Sequence, residues 1–255
     1  MVAISIFDRI TIDPTEHTKL VLTCTGLENP PPQEENLAWR AADVFFREIC
    51  RPPAARITLD KMIPSGAGLG GGSGNAAGVL MALNNHFGGI VPMRRLQELA
   101  AGLGADVPFF LTCQPSIARG IGEHLSPLED FPQVPLVVVK PSLSVATGEA
   151  YSLIQPREHT PAIPTMKTPD QLISALTNDF DAPICGRFPE LEKIKAKLRE
   201  AGATGVLLSG SGSAVFGLFG SEATQRAAAK RLAQEPSWNV FSAMTLSSHS
   251  YSQNQ

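Results

Sequence analysis

The sequence has no apolar run long enough to span a bilayer, which excludes a membrane-crossing helix. Its opening, MVAISIFDRI, lacks the basic region, apolar core and small-residue cleavage site of a secretory signal. Cysteine is scarce: Cys24, Cys50, Cys113 and Cys185 are widely spaced and form no CxxC pair. That argues against a zinc site and a disulfide framework and for reduced thiols in a cytoplasmic protein. The five histidines are equally scattered, and without an HExxH there is no metalloprotease signature. Positive charge is not in surplus, since 21 Lys+Arg face 24 Asp+Glu for a formal net charge of −3. Nothing therefore points to nucleic acid or a membrane as partner. The expectation is a small-molecule substrate and a monomer or homodimer.

Turn-forming residues are abundant, with 22 glycines and 21 prolines among 255 residues. Such a composition favours tight turns and sites lined by backbone. Alternation predicts strands in MVAISIFDRITI, HTKLVLTCTG and ARITLD, and helical spacing predicts helices in LAWRAADVFFREIC and MRRLQELAAGLG. In ADVPFFLTC, Pro108 is expected to hold Val107 extended. SIARGIGEHLSPL suggests a hairpin or a pair of loops, and the prolines of Phe131–Pro135 suggest a domain boundary. Beyond it, LVVVKP reads as a buried strand, TGEAYSLI and TPDQLISALTNDF as helices separated by a Pro-rich loop from Gln155 to Pro164, and PELEKIKAKLREAG as a helix. TGVLLSGSGSAVFGLF suggests two strands joined by a Gly-Ser turn, SEATQRAAAKRLAQ a helix and NVFSAMTL a last strand. The class is α+β. The expected domains are 1–130 and 131–246, with a disordered tail at 247–255.

The strongest local signal is the glycine-rich stretch Pro64-Ser65-Gly66-Ala67-Gly68-Leu69-Gly70-Gly71-Gly72-Ser73-Gly74, which runs straight into the apolar helix NAAGVLMALN. Glycines let several backbone N–H groups converge, and a helix starting near Ser73 adds its unpaired amides and positive dipole end. This is a cradle for a di- or triphosphate. No lysine follows the glycines, so it is not a P-loop. Gly66, Gly68 and Gly71 satisfy GxGxxG, but Asn84, Asn85 and His86 stand where a dinucleotide fold wants an acid. No HRD or DFG accompanies it, and Asn75 breaks the GxSxG pattern of a hydrolase elbow.

PSGAGLGGGSGNAA resembles the phosphate-binding motif of the GHMP kinases. LGADVPFFL, GIGEHLSPL, VVKPSLSVAT, TNDFDAP and VLLSGSGSAVFGLF resemble, in the same order, segments of the branch that phosphorylates the cytidine diphosphate of methylerythritol. The resemblance covers almost the whole chain. It implies an N-terminal domain like ribosomal protein S5 domain 2, here incomplete, and a ferredoxin-like C-terminal domain. It implies transfer of the ATP γ-phosphoryl, with Mg2+, to a tertiary hydroxyl. Alternatives kept open are a GHMP kinase for another small alcohol, such as homoserine or mevalonate, and a nucleotide-binding protein without catalysis.

By the same resemblance, Asp106 is the catalytic carboxylate, beside the attacking hydroxyl; on its own it reads as a turn-capping Asp. Pro64 to Gly74 bind the ATP phosphates, and Ser73 either reaches phosphate or Mg2+ or is a plain N-cap. Lys61 and Asn36 resemble positions lining the adenine pocket; alone they are a strand-end lysine and an N-cap. Tyr151 aligns with an aromatic that stacks on cytosine, or is a core tyrosine on a helix face, and Thr147 lies on the same substrate segment. The Ser209–Ser213 run resembles a motif packed near the phosphate loop and equally reads as a hairpin turn.

The sequence departs from the family in two places. The family's opening Lys-Ile-Asn strand and Gly-Tyr-His segment have no counterpart, and neither Lys61 nor Lys140 follows an equivalent motif. The expectation is that the gene product starts upstream and that residues 1–255 alone have weak or no kinase activity, because a cation is missing from the transfer site. Gly74 and Asn75 stand where many members have Ser and Asp.

Overall fold

The structure is a computed structural model describing residues 1–15, 19–26, 31–154 and 164–247. It divides into two compact units. The first comprises residues 1–65 and 70–128; the second comprises 66–69 and 129 onward.

The first unit is built on a three-stranded sheet. Strands β1 (Arg9–Pro14), β2 (Leu20–Thr25) and β3 (Ala55–Asp60) lie in the order β1-β3-β2. β3 pairs antiparallel with β1 and parallel with β2. Its alternation is clean: Ala55, Ile57 and Leu59 are buried while Arg56 and Asp60 face out. Regular strand structure begins only at Arg9, later than the alternation of MVAISIF suggests. Helices α1 (Leu37–Glu48), α2 (Gly71–His86) and α3 (Met93–Leu103) supply the rest of the core. Phe45 and Phe46 of α1 and Val79, Leu80 and Leu83 of α2 are fully or almost fully buried there with Leu96 of α3.

The short helix α4 (Val107–Phe110) corrects one expectation, because Val107 is helical and not extended. Pro108 sits in the first turn, where no intrahelical N–H bond is needed, so the ring starts the helix without cost. A two-stranded antiparallel hairpin, β4 (Ser116–Arg119) and β5 (His124–Pro127), completes the unit.

The second unit carries a four-stranded antiparallel sheet. Its strands are β6 (Pro135–Pro141), β7 (Gly205–Leu208), β8 (Val215–Leu218) and β9 (Trp238–Met244), in the order β7-β8-β6-β9. Helices α5 (Thr147–Ser152), α6 (Pro169–Ala175), α7 (Asp181–Arg187) and α8 (Pro189–Glu200) connect β6 to β7, and α9 (Glu222–Leu232) connects β8 to β9. That succession and strand order are those of a ferredoxin-like domain. β6 is buried from Leu136 to Pro141, which explains its unbroken valine run. Val137 and Val139 share a core with Leu191, Ile194 and Leu198 of α8 and Leu232 of α9. The tail from 248 onward and most of the Pro-rich segment, residues 155–163, lie outside the described residues. No helix among the described residues is long and apolar enough to cross a membrane.

Candidate active site

In the first unit the chain leaves β3 through Lys61 and turns toward the glycine stretch. Lys61 is buried, and its ammonium pairs with the equally buried Asp8. The other oxygen of Asp8 accepts the backbone N–H groups of Met62 at 2.7 Å and Ile63 at 2.8 Å. One carboxylate thus fixes the three residues that lead into the glycine stretch. Asp8 was not singled out in the sequence, where a lone acid after a phenylalanine carries no signal.

Helix α2 starts at Gly71, two residues before the expected Ser73, and its N-cap Gly70 is left-handed at φ +68°. Its first intrahelical bond runs from the Gly74 N–H to the Gly70 carbonyl at 2.9 Å. The amides of Gly71, Gly72 and Ser73 precede that bond and have no carbonyl within the helix to bind. The first turn carries no acidic side chain and no side-chain cap. A 16-residue helix thus keeps the positive end of its dipole uncompensated, the arrangement that attracts phosphate. Ser73 lies in the first turn and is not the N-cap. A Cβ on Gly71 would fall 2.9 Å from Ile63 Cγ2 and 3.3 Å from the Lys61 Nζ, so glycine is needed for close packing here.

Asp106 stands exposed at the start of α4 and makes no capping hydrogen bond. A turn-capping role therefore does not account for it. Its backbone is set from both sides: Gly104 ends α3 and accepts the Val107 N–H at 3.1 Å, and Val107, Pro108 and Phe109 are buried behind it. Asn36 caps α1, its Oδ1 accepting the Ala38 N–H at 2.9 Å, while its Nδ2 donates to Cys24 Sγ at 3.7 Å.

In the second unit, residues 66–69 are held by the β7–β8 connection. The N–H groups of Ser213 and Ala214 donate to the carbonyls of Gly66 at 3.3 Å and Ala67 at 3.1 Å. The Ser209 hydroxyl donates to the Gly68 carbonyl at 2.9 Å. Gly66 and Gly68 both have positive φ, and a Cβ on Gly68 would fall 2.0 Å from the Ser209 carbonyl oxygen. The Gly-Ser run is both a turn between strands and a clamp on these four residues.

Thr147 opens α5 and is exposed. Tyr151, on the same helix, is 61% exposed, so it is not a core tyrosine. Its ring meets Phe180 edge to face with centroids 5.0 Å apart. The lead into α5 is fixed by Lys140, which is buried and donates to the carbonyls of Pro141 at 2.7 Å and Leu143 at 2.8 Å. Burial lowers its pKa from the usual lysine value, with the charge of Glu190 opposing. The ammonium groups of Lys61 and Lys140 are thus both committed to protein partners.

The sequence matches the model of the GHMP kinases N terminal domain over residues 36–114 and that of GHMP kinases C terminal over residues 186–237. It is 39% identical over 249 residues to the 4-diphosphocytidyl-2-C-methyl-D-erythritol kinase of Citrifermentans bemidjiense, covering 96% of this chain and 89% of that protein. The chain belongs to the GHMP kinases. Among solved structures, a 4-(cytidine 5'-diphospho)-2C-methyl-D-erythritol kinase matches with a TM-score of 0.80 and 37% identity, over 95% of this GHMP kinase and 87% of that chain. A homoserine kinase from Cytophaga hutchinsonii matches with a TM-score of 0.71 at 17% identity, over 94% and 86% of the two chains, which is a likeness of fold.

Proposed function

We infer that this chain transfers the γ-phosphoryl group of ATP to the 2-hydroxyl of 4-diphosphocytidyl-2-C-methyl-D-erythritol. The observation carrying this is identity of 37–39% along almost the whole chain to kinases of that name, against 17% for the homoserine kinase, where only the fold is shared. The loop of residues 64–74 binds the triphosphate, and the amides of Gly71, Gly72 and Ser73, which have no carbonyl partner within α2, are its donors. Ser73, in the first turn of α2, would be the protein hydroxyl offered to Mg2+, an ion that commonly binds through nucleotide phosphates and few protein groups. When bound, the ion neutralises charge on the transferring phosphoryl. Asp106 accepts the proton of the attacking hydroxyl as the new P–O bond forms and the bond to the β-phosphate oxygen breaks, releasing ADP. An exposed carboxylate on a rigid backbone, free of capping duty, suits that role.

Tyr151 provides a flat, accessible surface for cytosine, and Thr147 a hydroxyl beside it. Lys61 and Asn36 line the adenine pocket, Lys61 with its ammonium already neutralised by Asp8. Residues 1–130 and 131–246 form the two functional halves, and the protein works in the cytoplasm. The test is ADP release with ATP, Mg2+ and the cytidine substrate, beside homoserine and mevalonate. Release with homoserine or mevalonate and not with the cytidine substrate would overturn the assignment.

A further inference from the structure

The β7–β8 connection that clamps residues 66–69 is itself braced from a direction that neither the phosphate loop nor the nucleotide explains. Among the described residues β7 is an edge strand, so the outward peptide groups of Leu208 have no neighbouring strand there to pair with. They are taken by side chains instead. Asp181 Oδ1 accepts the Leu208 N–H at 2.9 Å. Asn178 Nδ2 donates to the carbonyls of Leu208 at 2.9 Å and Gly210 at 2.8 Å, while its Oδ1 accepts the Phe180 N–H at 3.0 Å.

Asp181 is anchored in turn by Lys195 of α8, a buried lysine whose ammonium lies 2.5 Å from Asp181 Oδ2 and 3.2 Å from Glu192 Oε1. Burial pulls the Lys195 ammonium down, but the hydrogen bonds and charge of its partners outweigh this and leave its pKa raised. With Cys185, Asp181 and Glu192 have the spacing of a metal-binding group. The Lys195 ammonium bonds both carboxylates, so the cluster reads as an ion pair that holds a segment in place.

We propose that Asn178, Asp181 and Lys195 are positioning residues for ATP: they fix the Leu208–Gly210 backbone, and through Ser209 and Gly68 they set the conformation of residues 66–69. This rests on the assignment of that loop to the ATP phosphates. The bracing runs through a short series of bonds, each 2.9 Å or shorter: Lys195 to Asp181, Asp181 to Leu208, Asn178 to Gly210 and Ser209 to Gly68. None of these three residues is expected to touch the nucleotide.

The experiment is titration of the whole chain with ATP and Mg2+, and separately with the cytidine substrate, with thermal unfolding of each variant. Asn178→Ala removes the two bonds to the Leu208 and Gly210 carbonyls, together with the local bond from the Phe180 N–H, without stranding a buried charge. Ser209→Ala removes only the hydroxyl on Gly68 and is too small a change to prevent folding. Gln225→Ala is the control for a purely structural role. Its side chain bonds the carbonyls of Leu136 at 2.8 Å and Ala243 at 2.6 Å, away from the brace.

The expected result is ATP affinity weakened about tenfold by Asn178→Ala and about threefold by Ser209→Ala, as fits losing one or two hydrogen bonds of ordinary net worth. Affinity for the cytidine substrate should stay within about twofold, and Gln225→Ala should lower the melting temperature without weakening ATP binding. Unchanged ATP affinity in Ser209→Ala together with a folded Asn178→Ala would overturn the proposal. So would equal weakening by Gln225→Ala. Wild-type chain that binds no ATP would overturn the loop assignment itself, and the proposal with it.

Discussion

The ring of Phe110 lies against the backbone of Gly70, so closely that a Cβ on Gly70 would fall 2.8 Å from Phe110 Cζ. Phe110 ends the helix that Asp106 begins, and Gly70 caps α2, whose first amides have no carbonyl partner within the helix. Through this packing, the proposed general base and the start of the helix proposed to bind phosphate share one rigid support within the first unit. Gly70→Ala strains a backbone at φ +68° as well as colliding with the ring. It should cost about 1–3 kcal/mol of stability and abolish measurable ATP binding. Phe110→Leu in the same chain should recover only the steric part, so paired melting curves and ATP titrations separate the two causes.

Gly74 behaves differently although the same ring is nearby. A Cβ there would meet Phe110 Cδ1 at 3.5 Å, an ordinary contact, and Gly74 does not have positive φ. Gly74→Ser should stabilise α2 by about 0.5 kcal/mol from helix propensity alone. A lower melting temperature would show that the first turn depends on glycine at this position too.

Tyr151→Ala should weaken binding of the cytidine substrate by about 1–3 kcal/mol, the usual worth of one base–aromatic stack, and leave ATP affinity unchanged. Tyr151→Phe keeps the ring and should bind like wild type. Because Tyr151 is exposed, neither change should alter the melting temperature by more than a surface substitution does. Equal loss in both variants would mean that the hydroxyl, and not the ring, meets the substrate.

Burial pushes the Cys185 thiol from its ordinary value of 9.0 up to about 11. The unfolded chain therefore releases this proton at lower pH than the folded one does. Across that window the folded state binds more protons, so the thiol's contribution is complete below the unfolded value and is lost as pH rises through the folded one. Wild type should lose stability relative to Cys185→Ala as pH climbs from about 9 to about 11. Denaturant unfolding of both chains at several alkaline pH values checks this; parallel curves would contradict it.

Much of this molecule was legible before any coordinates. The valine run of β6, the 3.6-residue spacing of α1 and the Gly-Ser turn between β7 and β8 are local signals, and each became the element it suggested. The glycine stretch was legible as a tight turn feeding a helix, because positive-φ backbone favours glycine. What escaped was non-local or cryptic. Asp8 gains its role only because Lys61, 53 positions away in the chain, folds beside it. Val107 was expected to be extended because the residue before a proline usually is, yet a proline in the first helical turn relieves that preference. Asn178 and Asp181 lay inside the TNDFDAP match, but nothing local shows that their partners are the peptide groups of an edge strand some 30 residues on.

The central claim is that Asp106 takes the proton of the attacking hydroxyl in a kinase for the cytidine diphosphate of methylerythritol. The most direct test is substrate-dependent ADP release by the chain with and without Asp106→Asn. The predicted result is release that requires the cytidine substrate and falls at least about 100-fold with Asp106→Asn while ATP binding and melting temperature hold. Asp106→Asn turning over at the wild-type rate would contradict the account.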